Sequence, residues 1–98
     1  MLKKQRLKTR PVCKVTFILP EGTEARTAHL VGDFNNWDQK ALPMKKLKDG
    51  TFKVIIELEA GREYQYRYLV NGSEWINDDA ADRYVAHPYG GENSVVLT

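Results

Sequence analysis

Glu63-Tyr64-Gln65-Tyr66-Arg67-Tyr68-Leu69-Val70 is the stretch that decides how this chain folds. Tyr64, Tyr66, Tyr68 and Val70 recur at every second position, with Gln65, Arg67 and Leu69 between them. Successive side chains of a strand point to opposite faces, so this pattern predicts a β-strand with its tyrosine row buried. The same periodicity makes the tyrosines a core face rather than a base-stacking surface, and it leaves Arg67 on the outer face.

On the C-terminal side, Asn71-Gly72 is a hairpin signal leading to a short strand around Trp75-Ile76, and Asn93 to Leu97 reads as the last strand. On the N-terminal side, Phe52, Val54, Ile56 and Leu58 share one face of another strand. Asp49-Gly50 precedes it as a turn, which predicts Met44 to Lys48 as its hairpin partner. Ala25 to Gly32 reads as a strand. So does Val12 to Leu19, with Cys13, Val15, Phe17 and Leu19 on one face. Strands with one buried face pack as antiparallel sheets, face to face. About seven of them in 98 residues predict an all-β, immunoglobulin-like β-sandwich. The paired cysteines of antibody-type domains are missing.

A chain of this length supports one domain, with little material left for a deep catalytic cleft. Its 42% hydrophobic and 29% charged residues are ordinary for a globular protein. No apolar run approaches the ~20 residues of a membrane span, and no apolar region follows the basic N-terminus as in a secretory signal. With Cys13 as the single cysteine, no internal disulfide can form, and a cytoplasmic location is expected. The net charge of +2 is uneven: Lys3, Lys4, Arg6, Lys8 and Arg10 all lie in the first ten residues. Residues 1–11 are therefore expected to be a basic, flexible tail, and residues 12–98 the folded module.

Trp37 and Trp75 are the candidate functional groups. Each stands beside turn-forming residues, where an indole either folds back as a lid or faces solvent as a platform. A glucose ring has an apolar C–H face and a rim of hydroxyls. An aromatic face matches the first, and amide or guanidinium groups match the second. Arg67, Asn36 and Asn93 can supply the polar partners. Catalytic and metal chemistry find no support. Asp33, Asp38, Asp78, Asp79 and Asp82 read as turn and cap residues without the paired geometry of a glycosidase or the loop of a calcium site. His29, His87 and Cys13 form no metal or nucleophile motif. No cofactor is expected.

Val31-Gly32-Asp33-Phe34-Asn35-Asn36-Trp37 resembles the signature of the carbohydrate-binding modules of AMP-activated protein kinase β subunits. The same module type precedes the catalytic domain of isoamylases and glycogen branching enzymes. Tyr64-Gln65-Tyr66-Arg67-Tyr68, Val70-Asn71-Gly72, Trp75, Asn77-Asp78 and Asn93-Ser94-Val95-Val96 follow in the family's order, so the resemblance covers residues 12 to 98. It implies an early-set, immunoglobulin-like sandwich that binds glycogen, starch or maltooligosaccharides without catalysis. It also implies two tryptophans stacking on glucose units, at Trp37 and Trp75, and a basic residue, at Arg67, on hydroxyls. A loop before the last strand would contribute Tyr89 and Asn93. Arg67 stands where lysine is usual, Gly91 where threonine is common, and Ser73-Glu74 lengthens the turn before Trp75. Modules attached to catalytic domains often lack sugar affinity. The alternative reading is therefore a sandwich that docks a protein partner, including as an accessory part of a larger amylolytic enzyme. No membrane or specific nucleic-acid partner is expected.

Overall fold

A computed structural model describes residues 2–20, 22–87 and 90–98. Its strands are β1 (Leu2–Arg6), β2 (Val12–Ile18), β3 (Ala28–Gly32), β4 (Lys45–Lys46), β5 (Phe52–Glu59), β6 (Glu63–Val70), β7 (Glu74–Ile76), β8 (Arg83–Ala86) and β9 (Glu92–Leu97). A short 3₁₀ helix, Asp33–Asn35, follows β3. One antiparallel sheet runs β1-β2-β5-β4. The other runs β3-β6-β9-β8, with β7 also paired to β6. This is the sandwich expected from the alternation, with two strands more than the apolar pattern revealed.

The core lies between the sheets and is built from the predicted inward faces. Val15 and Phe17 of β2, Leu30 of β3, and Tyr66, Tyr68 and Val70 of β6 are buried together with Val96 of β9. The rings of Phe17 and Tyr66 meet edge to face at 5.0 Å, and Tyr66 meets Tyr68 at 5.8 Å. Such tilted contacts suit the aromatic quadrupole and add to the burial of the rings.

A tyrosine row in a core must place its hydroxyls. Both Tyr66 and Tyr68 donate to the same oxygen of Asp78, Oδ2, at 2.9 Å. The other oxygen, Oδ1, accepts from the Ala80 amide at 3.0 Å. The Asp78 amide donates to Ser94 Oγ at 2.9 Å, which ties the segment after β7 to β9. Asp78 is thus a fully buried structural carboxylate. Burial first, and the Asp78 charge second, hold both phenols well above the ordinary tyrosine range.

The N-terminus corrects an expectation. Residues 2–6, expected as part of a flexible tail, form β1 and pair antiparallel with β2 from Leu2↔Phe17 to Arg6↔Cys13. Lys-rich strands lack an apolar stripe, but backbone pairing does not need one, and lysine is common on sheet edges. The basic residues also find acids elsewhere in the chain. Lys4 Nζ lies 2.8 Å from Asp82 and donates to the Leu97 carbonyl, and Arg10 grips Glu57 at 2.7 Å. Cys13 is buried and has no disulfide partner.

Candidate glycan-binding face

The site is assembled on the outer face of the second sheet, around a break in pairing along β6. The N-terminal half of β6 pairs with β9 as far as Tyr66↔Ser94. Its C-terminal half pairs with β7 from Tyr68↔Ile76. Arg67 stands at that changeover, with Val31 of β3 opposite it on the other edge. Strand alternation then fixes the directions. Tyr66 and Tyr68 point into the core, so Arg67 and Leu69 point out. Trp75, paired with Leu69, shares their face. Val31, Leu69 and Val95 are buried although they lie on this outer face, and they give it an apolar bed.

Trp37 arrives from the connection after β3. Asn35 Oδ1 accepts from the Gly32 amide at 3.1 Å, and its Nδ2 donates to the Leu30 carbonyl at 3.2 Å. The Trp37 amide returns to the Gly32 carbonyl at 2.8 Å. Asn36 and Trp37 both take left-handed backbone conformations, each with φ 57°. That region is uncommon for a bulky residue, and strain of ~1–3 kcal/mol is typically kept where it positions a functional group. Gly32 has no freedom to change. A Cβ there would sit 2.5 Å from the Gln65 carbonyl oxygen and 2.8 Å from the Phe34 ring.

Trp37, Arg67, Trp75 and Asn93 line one cavity of about 320 Å³, together with Gln39 and His87. The two indoles are open, at 36% and 40% exposure. The volume sits at the low end for ligand pockets, which suits a shallow platform rather than an enclosed reaction chamber. Asn36 is exposed but does not line the cavity, because its backbone forms the turn that delivers Trp37. Tyr89 lies outside the described residues. Gln39 and His87 carry no strand pattern in the sequence, so only the folded loops bring them here.

The polar floor is unspent. Asn93 is 4% exposed, and its Nδ2 donates to Gln65 Oε1 at 3.0 Å. Its Oδ1 has no partner among the described residues, and neither has Arg67 Nε. No carboxylate among the described residues pairs with the Arg67 guanidinium. Gly91 lies close above it: a Cβ at that position would be 3.4 Å from Arg67 Nη2, and its φ of 72° favours glycine. Buried polar atoms without partners are rare in folded proteins and call for a ligand or water.

A larger cavity, about 640 Å³, lies between the β2–β3 loop, the β4–β5 turn and Asp79-Ala80. None of the described candidate residues lines it. Among the described residues no cluster of His, Cys, Asp or Glu could hold a metal ion. No helix there is long and apolar enough to cross a membrane.

Residues 22–90 match the family described as carbohydrate-binding module 48, the isoamylase N-terminal domain. The chain is also similar to the 1,4-alpha-glucan branching enzyme GlgB of Aquifex aeolicus (strain VF5), 30% identical over 86 residues. That match covers 85% of the chain and only 14% of the relative's length.

Proposed function

The chain belongs to the carbohydrate-binding module 48 family of non-catalytic binding modules, and from that premise we propose that it holds α-1,4-glucan chains of the glycogen or starch type. Glucosyl faces stack on Trp37 and Trp75, and Arg67 and Asn93 bond the hydroxyls between them. Tyr89 is proposed as a covering contact from the resemblance alone, and Asn36 as the residue that aims Trp37. The module would bring a partner or pathway to the polysaccharide. The buried, unpaired Cys13 supports a reducing, cytoplasmic setting.

One observation carries this reading: two open indoles flank a floor whose donor and acceptor are both unused. Arg67 offers N–H groups and Asn93 Oδ1 offers lone pairs. A hydroxyl needs one of each. The polymer class draws support from the relative, whose name records action on 1,4-α-glucan.

Each stacked ring contributes ~1–3 kcal/mol by analogy with base stacking. Two such stacks plus a few hydroxyl bonds give an affinity of roughly µM to mM. Titration with maltoheptaose or β-cyclodextrin should change tryptophan fluorescence. Replacing Trp37 and Trp75 together by Ala should abolish retention on glycogen while the circular dichroism of the fold persists. Undiminished retention by that folded variant would refute the site.

A further inference from the structure

We propose that Gln65 is a positioning residue of this same site, fixing which end of the Asn93 carboxamide faces the sugar. The inference rests on the α-glucan reading. Gln65 is half-buried and does not itself line the cavity. It lies on the outer face of β6, two residues before Arg67 and opposite Val95 of β9. Asn93 is its diagonal neighbour, two residues before Val95, and long side chains reach across such a diagonal. The Asn93 Nδ2 donates to Gln65 Oε1 at 3.0 Å.

A carboxamide is nearly symmetric in shape and opposite in chemistry at its two ends. A half-turn about its last torsion exchanges acceptor for donor with little change in packing. Asn93 is 4% exposed, so bulk water competes little for either end. Gln65 Oε1 only accepts, and so selects Nδ2. That leaves Oδ1 as the acceptor without a partner among the described residues. Arg67, which only donates, complements it. With the carboxamide turned over, both groups would offer N–H, and a sugar hydroxyl could not donate to either. Gln65 is in turn held by its backbone. Its amide donates to Asp33 Oδ2 at 3.1 Å, and its carbonyl oxygen would be 2.5 Å from a Cβ on Gly32. Gly32 and Asp33 begin the turn that delivers Trp37. One residue thus joins the Trp37 loop, the Arg67 strand and the Asn93 floor.

The experiment is a double-mutant cycle on the whole chain, with maltoheptaose affinity read by tryptophan fluorescence and each fold checked by circular dichroism. Gln65→Met keeps the side chain's length and removes its acceptor. It should weaken binding about 2–10-fold, because fewer molecules then present Oδ1 to the sugar. In an Asn93→Ala background the same substitution should change affinity by less than about 1.5-fold. Direct contact of Gln65 with sugar, or general loosening of the sheet, would carry over into that background. If Gln65→Met fails to fold, Gln65→Ala takes its place. NMR of the free parent chain should find the Asn93 Nδ2 protons slow to exchange, and Gln65→Met should speed them. A loss below about 2-fold in the parent background overturns the inference, as does an equal loss in both backgrounds. So does slow exchange at the Gln65 Nε2 protons instead, which would mean that the pair is turned over. Failure of the parent chain to bind maltoheptaose removes the α-glucan reading and this inference with it. Binding that does not depend on Gln65 removes the inference alone.

Discussion

Removing the carboxylate of Asp78 should destabilise the fold more than any other single polar change in the core. Asp78→Ala deletes one oxygen that accepts two tyrosine hydroxyls and a second that accepts the Ala80 amide. Tyr66 and Tyr68 are both fully buried, so their hydroxyls cannot turn to bulk water. Tyr68 can still reach the Ile18 carbonyl, at a long 3.4 Å, whereas Tyr66 has no second acceptor among the described residues, so the loss is at least the ~1–3 kcal/mol of one unsatisfied buried donor. A small domain has only ~5–15 kcal/mol in total, so even this loss is a substantial share of it. Asp78→Asn tests the same logic more gently. Its carbonyl oxygen can still receive the phenols, but its amino group then faces the Ala80 amide, donor against donor. A loss of ~1–3 kcal/mol is expected. Urea denaturation followed by circular dichroism measures both. An alanine variant within ~1 kcal/mol of the parent would show that the tyrosine hydroxyls have another outlet. An asparagine variant less stable than the alanine one would refute the account of the network.

The same pair of phenols predicts a fall in stability in alkali. Their folded-state ionisation lies above the ordinary value of 10.0. The unfolded chain therefore loses these protons first, and the stabilisation is complete below pH ~10 and shrinks above it. Two protons give a limiting slope of ~2.7 kcal/mol per pH unit, approached about a unit higher, so stability from urea midpoints should fall by ~2.7 kcal/mol in total between pH 9 and 11; a flat profile would contradict it. Gly32→Ala should both destabilise the chain, by ~1–3 kcal/mol, and impair glucan binding, because the new methyl displaces the Gln65 carbonyl or the Phe34 ring beneath the Trp37 loop. Normal stability with normal binding would mean that this close approach is dispensable.

The interior of the sandwich could be read in advance because its strands alternate. The Tyr64 to Val70 register, the β2 face from Cys13 to Phe17, and the Asp49-Gly50 and Asn71-Gly72 turns all follow from period two and turn chemistry. Two strands escaped for a common reason. In β1 and β8 most side chains are exposed, so neither carries the apolar stripe that reveals a strand. Their pairing is a backbone matter, anchored by contacts distant in sequence such as Lys4 with Asp82. The gathering of Trp37, Arg67, Trp75 and Asn93 on one face was legible in part, since parity puts Arg67 opposite the tyrosines. His87 and Gln39 were not. Their positions depend on loop backbone, and on two successive left-handed residues that no residue pattern announces.

β6 serves two masters with alternate letters of one word: phenols hold the interior, and Arg67 faces the cavity. Deleting or inserting a single residue upstream of Arg67 within this strand would exchange the two sets, drawing a guanidinium inward and turning aromatic rings to water. Recognition and folding therefore cannot drift apart along this segment. The loops bearing Trp37 and His87 are free of that constraint, and any retuning of ligand preference over evolutionary time should be concentrated there.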